Sequence, residues 1–133
     1  MLSSVDFGDT HVIADLEAGI GTLTRLDDDQ LDVVLLVVEP TAKSIEVGTR
    51  AARLVRDKSL GRLVVVASRV RDDADRAALV AAFGDIEIVV VPHDDEIIAA
   101  DRHGVAPLDV APNAPAVRAL AAMAESLVAT ARS

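Results

Sequence analysis

The stretch that decides the fold is Leu31–Val38, LDVVLLVV. After Asp32 it is a continuous aliphatic run of strand length, which is typical of a strand covered on both faces and hence of a parallel sheet. Pro40 stops the strand, and Thr41 is a suitable cap for a following helix. The sequence of strand, stop, cap and helix indicates an α/β unit.

The same order recurs on both sides of this stretch. Short apolar runs predict further strands, and segments with caps and helical spacing predict four helices. The strands are predicted at Thr10–Ala14, Leu63–Ala67 and Ile86–Val91. The helices are predicted at about 41–59, 72–84, 94–103 and from Asn113, which is expected to cap the last helix, onward. We therefore expect one α/β domain over residues 1–133, with three layers and a mostly parallel sheet of four to five strands flanked by helices.

The buried faces of the helices are predicted from their apolar spacing. The residues expected on those faces are Ile45, Gly48, Ala52 and Val55 in the first helix, Ala77, Ala78, Val80, Ala81 and Phe83 in the second, and Val117, Leu120, Ala124, Leu127 and Val128 in the last.

Composition excludes several classes of function. The chain has no cysteine, so disulfides and cysteine metal sites are excluded, and two phenylalanines are its only aromatic residues. The formal net charge of −9 repels nucleic acid and anionic membranes. No apolar run approaches the roughly 20 residues of a membrane helix. We therefore expect a cytoplasmic protein with neither nucleic acid nor a membrane as its partner.

A first group of candidate site residues follows the predicted strand Thr10–Ala14. Asp15, Glu17 and Gly19 form the pattern D-x-E-x-G. The carboxyl end of a strand is where open α/β sheets place their ligand chemistry. Asp15 and Glu17 offer carboxylate oxygens that suit Mg²⁺. The favoured alternative is that Asp15 is a buried or hydrogen-bonded aspartate that holds no metal.

A second group lies after the strand Ile86–Val91. Here Pro92 and His93 precede the carboxylates Asp94, Asp95 and Glu96. A histidine–carboxylate metal cluster is one interpretation, but consecutive residues at the start of a helix point in different directions. Helix capping is therefore favoured, in which case Asp94→Asn costs about 1 kcal/mol or less.

Four segments together carry a family resemblance. They are DLEAGIGTLTR (15–25), VVEPTAKSIEVGTRAARL (37–54), VPHDDEIIAADRHG (91–104) and PNAPAVRAL (112–120). In this order they resemble MinD/ParA-type P-loop ATPases, and most of all the CooC-like accessory ATPases of carbon monoxide dehydrogenase maturation. The resemblance implies an incomplete P-loop NTPase-like Rossmannoid fold.

The resemblance also implies roles for the candidate residues. Asp15 corresponds to the Walker B aspartate that organises Mg²⁺, and Gly19 lies in the switch that senses the γ-phosphate. The loop from Val91 to Glu96 corresponds to the one that holds the nucleotide base. The nucleotide-binding candidates are accordingly Asp15, Glu17, Gly19, Pro92, His93 and Asp94.

The sequence departs from this family at the phosphate loop. The family has a G-x-x-x-x-G-K-[ST] motif ahead of the Walker B strand, where this sequence has Gly8 and no lysine. Lys43-Ser44 follows a strand and opens a helix, but Ala42 occupies the position of the required glycine. Ser68-Arg69 stands where many relatives carry asparagine and a charged residue. We therefore expect no ATPase activity from the chain alone, and ATP with Mg²⁺ only if another chain supplies the phosphate loop.

Three functions are compatible with these observations. The first is a non-catalytic interaction or regulatory module. The second is a nucleotide-binding ATPase or metallocentre-maturation factor that uses the phosphate loop of another chain. A receiver-like signalling domain ranks third, because it requires an aspartate at the end of the third strand, where this sequence has Ser68-Arg69.

The missing phosphate-loop strand predicts a rearranged sheet. In the family that strand lies between the equivalents of Thr10–Ala14 and Leu31–Val38. Because unpaired buried backbone groups cost about 1–3 kcal/mol each, we expect these two strands to close up and pair directly. We also expect the chain to form a homodimer, or to bind another protein, through its aliphatic edges.

Overall fold

The computed structural model describes residues 8–16, 21 and 31–131. Strands and helices alternate along most of this part of the chain, as the sequence predicts. In order, the elements are β1 (Val33–Val38), α1 (Ala42–Asp57), β2 (Arg62–Val70), α2 (Asp73–Phe83), β3 (Glu87–Pro92), α3 (Asp95–Arg102), α4 (Pro107–Val110) and α5 (Pro115–Ala131). The α/β class is confirmed.

The three described strands form one parallel sheet in the order β1-β2-β3. Val38 at the end of β1 lies beside Ala67 of β2, and the register between β2 and β3 shifts after Ala67 so that Val70 lies beside Pro92. The described sheet is therefore parallel, as predicted, but has three strands rather than four to five.

Helices cover both faces of this sheet. On one face Val65 and Ala67 of β2 pack with Leu79 and Phe83 of α2, together with α1. On the other face α5 covers β2 and β3, where Val66 and Val91 pack around Ala116. The predicted three-layer arrangement is confirmed.

Helix α1 lies unusually close to the sheet at Gly48. A Cβ atom at this position would lie 2.9 Å from Cγ2 of Val38 and 3.0 Å from Cζ of Phe83, both of which are buried. The predicted face is confirmed at Gly48, Ala52 and Val55, which are buried together with Ala51. Small residues on this face allow the helix to approach β1.

The predicted face of α2 is largely wrong. Leu79 and Phe83 are its buried residues, while Val80, Ala77, Ala78 and Ala81 are exposed. Leu79 and Phe83 are four positions apart and therefore lie on one side of the helix. Because alanines occur around most of α2, their spacing does not show which side faces the core, and the two large side chains decide it.

The predicted face of α5 is confirmed only in part. Val117 is buried as predicted, and Leu127 and Val128 are half-buried, whereas Leu120 and Ala124 are exposed. Ala116, which was not predicted, is buried, and Met123 packs against the same cluster. The small side chain of Ala116 allows α5 to contact β2 and β3 directly. Close approach at this alanine thus determines the rotation of the helix more than the larger Leu120 does.

The predicted strand Thr10–Ala14 is wrong. These residues form no strand and are all exposed, with Ile13 93% exposed. The predicted direct pairing with β1 therefore does not occur, and within the described residues β1 pairs only with β2. A short apolar run becomes a strand only when a neighbouring strand pairs with it, and Thr10–Ala14 has no such neighbour in the described sheet.

Among the described residues, no helix combines the length and the apolar composition that crossing a bilayer requires.

Candidate functional site

The carboxyl ends of the three strands meet at one edge of the sheet, which is where ligands bind in open α/β folds. Glu39 follows β1, Ser68 and Arg69 lie in the irregular end of β2, and His93 follows β3. Pro92 is the last residue of β3, and Asp94 follows His93. We call Glu39, Ser68, Arg69 and residues 92–94 the carboxyl edge. It contains three of the predicted site residues, Pro92, His93 and Asp94.

The loop from Glu39 to Ser44 closes on itself through hydrogen bonds. The Glu39 N–H donates to Oγ of Ser44 at 2.9 Å, and the Ser44 N–H donates to Oγ1 of Thr41 at 3.2 Å. The Ile45 N–H donates to the Thr41 carbonyl at 2.9 Å. Thr41 is therefore the cap of α1, as predicted, and the amides of Glu39 and Ser44 are already satisfied within the loop.

Arg69 has an unusual backbone conformation at the end of β2. Its φ angle is 59°, in the left-handed region that residues other than glycine rarely adopt. It lies where the register shifts between Ala67 and Val70, so this end of β2 bends as at a β-bulge. Its Nη1 lies 3.4 Å from Oε1 of Glu39, and the side chain of Arg69 is largely accessible while that of Glu39 is half-buried. The guanidinium therefore lies across the end of β1.

His93 is held at the end of β3 by its backbone. Its N–H donates to the Val70 carbonyl at 2.9 Å, which extends the pairing of Pro92 with Val70 by one residue. Its Nε2 lies 3.3 Å from Oδ1 of Asp95, whose side chain is almost fully exposed. The ring is half-buried and can form only a solvent-screened ion pair when protonated.

Asp94 connects the starts of two helices. Its Oδ1 accepts the Glu96 N–H at 3.0 Å, which caps α3, and its Oδ2 accepts the Ala116 N–H at 3.0 Å in the first turn of α5. The interpretation of Asp94 as a helix cap is confirmed. The link to Ala116 was not predicted from the sequence.

The expected cap of α5 at Asn113 is wrong. The helix begins at Pro115, so the residue before it is Ala114, whose side chain has no oxygen. Asp94 supplies the missing acceptor from another part of the chain. No local pattern in the sequence signals this link, because it joins residues 22 positions apart.

The first group of candidate residues does not adjoin a described strand. Asp15 is exposed and lies in a segment without secondary structure, while Glu17 and Gly19 lie outside the described residues. Within the described part of the chain, no group of three or more histidine, aspartate or glutamate side chains has a geometry that could hold a metal ion.

The loop from Glu39 to Ser44 does not present the free backbone donors of a phosphate cradle. A phosphate cradle needs several free backbone N–H groups and a neutralising lysine. At the Lys43-Ser44 position the loop amides of Glu39 and Ser44 instead bond to side chains of the same loop. The sequence contains no Gly-Lys pair at all. We derive no phosphate chemistry from this loop.

Comparison with known proteins agrees with the sequence motifs. The chain is 34% identical over 100 residues to an uncharacterized ATP-binding protein of Methanocaldococcus jannaschii, across 72% of this chain and 38% of the relative. It is 27% identical over 102 residues to the carbon monoxide dehydrogenase accessory protein CooC of Rhodospirillum rubrum, across 76% of this chain and 39% of CooC. The resemblance to CooC-like proteins is confirmed.

The CooC-like chain matches less than two-fifths of the length of each of these relatives. No family model matches the sequence. The similarity thus covers most of this chain but only part of each relative, and the activities of the whole relatives are not transferred with it.

Proposed function

We propose that this CooC-like chain is a cytoplasmic interaction or regulatory module that does not hydrolyse ATP by itself. Its partner is a second copy or another protein, and by similarity to CooC that other protein is a metalloenzyme under assembly. ATP and Mg²⁺ are not expected to bind the isolated chain.

One observation carries this proposal. In the loop that most resembles a phosphate loop, the hydrogen bonds from Glu39 to Ser44 and from Ser44 to Thr41 satisfy the backbone donors that a phosphate would need. Each lost charge-assisted bond removes about 1.5–3 kcal/mol of binding free energy. The net charge of −9 also opposes a triphosphate.

Calorimetry with Mg-ATP and Mg-ADP tests the proposal. We expect no binding heat at tens of micromolar protein, and phosphate release no faster than in a protein-free blank. Asp15→Ala is the matched control, since Asp15 is the residue that the family resemblance connects with Mg²⁺. Phosphate release that Asp15→Ala abolishes, or micromolar binding of Mg-ATP, contradicts the proposal.

A second candidate function is supported by Arg69. Strained backbone conformations are concentrated at ligand sites, and Arg69 adopts one at the carboxyl edge. This candidate is a nucleotide site at the carboxyl edge, with residues Pro92 and His93, completed by the phosphate loop of another chain. It predicts that nucleotide binds only when that chain is added, and that Arg69→Ala weakens this binding while Arg102→Ala, at the end of α3, does not.

A further inference from the structure

Helix α5 is apolar on its outward side as well as on the side that packs against the sheet. Its 17 residues include only two charged ones, Arg118 and Glu125. Leu120 is 39% exposed. Four alanines of the helix are exposed as well, namely Ala121, Ala122, Ala124 and Ala129. A helix at the surface of a globular domain normally carries polar residues on the side away from the core. The outward side of α5 therefore has the composition of a surface that another element covers.

Two shallow hollows follow one another along this side of α5. The larger one, of about 570 Å³, lies at the start of the helix, where prolines and alanines between Pro112 and Ala122 line it together with Arg118 and Glu125. The smaller one, of about 380 Å³, has four lining residues, Ala124, Glu125, Val128 and Ala129. Because Glu125 lines both, we call the two hollows together the α5 groove. It follows about 15 residues of helix, or about 20 Å, which is the length of a partner helix of about four turns.

Helix α4 presents two large aliphatic side chains close to the start of the α5 groove. None of its four residues is buried, and Leu108 and Val110 are 63% and 56% exposed. Val110 is two positions before Pro112, so their Cα atoms are at most about 7 Å apart. The Ala111 N–H donates to the Pro107 carbonyl at 2.8 Å and fixes the backbone of this segment. A partner can therefore cover Leu108 and Val110 without a large loss of conformational entropy from α4.

We propose that the α5 groove and α4 form a docking site for a basic amphipathic helix of another protein. The aliphatic side of that helix lies in the groove and against Leu108 and Val110, and its lysines and arginines lie along the rim. This inference rests on the proposed function, since it states the chemistry of the partner that the interaction module binds. The apolar groove determines the length of the partner helix, and the surrounding charges determine the sign of its charge.

The distribution of charge favours a basic partner on this side of the sheet. Residues 94–131, which include α3, α4 and α5, contain six carboxylates and two arginines. On the opposite face, residues 42–62, which include α1, contain six cationic residues and two carboxylates. Asp109 of α4 and Glu125 of the α5 groove are both exposed. A cationic helix is therefore attracted to the side of α5, whereas a second copy of this chain, with its net charge of −9, is repelled.

A test by fluorescence anisotropy uses a labelled peptide of about 15 residues, made of leucine and lysine, whose leucines fall on one side of a helix. We expect the full chain to bind this peptide with a dissociation constant in the micromolar range, and added salt to weaken the binding because it screens opposite charges. One control peptide has glutamate in place of lysine, and another has serine in place of leucine. We expect both controls to bind at least about tenfold more weakly.

Two matched pairs of substitutions locate the binding site. Leu108→Ser removes an exposed aliphatic side chain from α4, and Val37→Ser removes one that is 64% exposed from β1. Ala122→Gln places a larger polar side chain in the α5 groove, and Ala77→Gln places the same side chain at an exposed position of α2. We expect Leu108→Ser and Ala122→Gln each to raise the dissociation constant of the leucine–lysine peptide at least about fivefold, and their controls to leave it within about twofold.

Three results overturn the inference. They are no binding of the leucine–lysine peptide at about 100 μM protein, equally tight binding of either control peptide, and equal effects of the two substitutions in either pair. Thermal unfolding of each variant checks that it is folded, and all four substituted positions are exposed. Binding of Mg-ATP by the isolated chain would overturn the proposed function and would leave the peptide results unchanged. A chain that binds neither Mg-ATP nor the peptide would overturn this inference alone, so the two failures are distinguishable.

Discussion

Oδ2 of Asp94 accepts a hydrogen bond from the backbone N–H of Ala116 at 3.0 Å, across 22 positions of the sequence. Ala116 is fully buried between α5 and the sheet, so its N–H has little access to water. The other carboxylate oxygen caps α3. One side chain therefore fixes the starts of two helices at the carboxyl edge, and both helices depend on it.

We predict that Asp94→Asn lowers the free energy of unfolding by about 1–3 kcal/mol, more than capping of α3 alone would imply. Asparagine has one acceptor oxygen, so it can replace the bond to Glu96 or the bond to Ala116 but not both. The buried Ala116 N–H, or the start of α3, is then left without a partner. Chemical denaturation measures the difference.

Asp72→Asn is the matched control for this prediction. Asp72 caps α2 through a single bond, from the Asp75 N–H to Oδ1 at 2.8 Å, at an exposed position. Asparagine caps a helix about as well as aspartate, so the cost should be a few tenths of a kcal/mol. Equal losses for the two variants would show that the bond to Ala116 adds nothing to stability.

Gly48→Ala is predicted to destabilise the chain, although alanine is the better helix former. Alanine gains about 1 kcal/mol in helix propensity, but overpacking of a core costs about 1–3 kcal/mol. Here the added Cβ meets Val38 and Phe83 at 2.9 and 3.0 Å, and both side chains are buried. We expect a net loss of about 1 kcal/mol.

A double substitution checks the cause of that loss. Val38→Ala removes the methyl groups nearest to the new Cβ, so Gly48→Ala should cost less in that background than in the native chain. A loss that is identical in both backgrounds, or a gain in the native chain, would contradict the packing argument.

Most of the described fold could be predicted from local patterns, because these patterns act within one element. The aliphatic runs place β1, β2 and β3 within a few residues of their observed ends. Thr41 and Asp94 are capping residues as expected, and Asp72 caps the helix that is predicted to start near it. A cap depends on the next three residues of the chain, so the sequence contains all the information that it needs.

The parts that could not be predicted depend on distant residues. In α2, Leu79 rather than Val80 faces the core. The helix is rich in alanine, so its packing against the sheet determines which side is buried. The bond from Asp94 to Ala116 joins segments whose proximity is a result of folding. Likewise, Thr10–Ala14 has strand-like residues, but none of the strands in the described part of the chain pairs with it. In each case the local sequence is compatible with more than one structure, and contacts with distant residues determine which structure forms.

Gly61→Ala is predicted to disrupt the entry into β1. A Cβ at Gly61 would collide with the carbonyl oxygen of Leu31, a backbone atom that cannot move aside easily. Two hydrogen bonds hold the chain at this point, from the Leu31 N–H to Leu60 and from the Arg62 N–H to Asp32. We expect the free energy of unfolding to fall by more than about 2 kcal/mol, measured by thermal unfolding.

Gly104→Ala is the control for this prediction, since a Cβ at Gly104 would meet no atom within 4 Å. A similar loss at both glycines would show that backbone conformation, rather than the collision with Leu31, determines the cost.

Arg69 provides a test of whether backbone strain is stored at the carboxyl edge. Arg69→Gly and Arg69→Ala both remove the exposed ion pair with Glu39, which is worth about 0–1 kcal/mol. They differ in the backbone, because glycine adopts a φ of 59° without the steric cost that a Cβ imposes. We therefore expect the glycine variant to have a free energy of unfolding about 1 kcal/mol higher than that of the alanine variant, as measured by chemical denaturation.

Arg50, an exposed residue inside α1, is the control position. There the same pair of substitutions should give the opposite order, since glycine weakens a helix by about 1 kcal/mol relative to alanine. The same order at both positions would mean that Arg69 is not strained, and the second candidate function would then lose the observation that supports it.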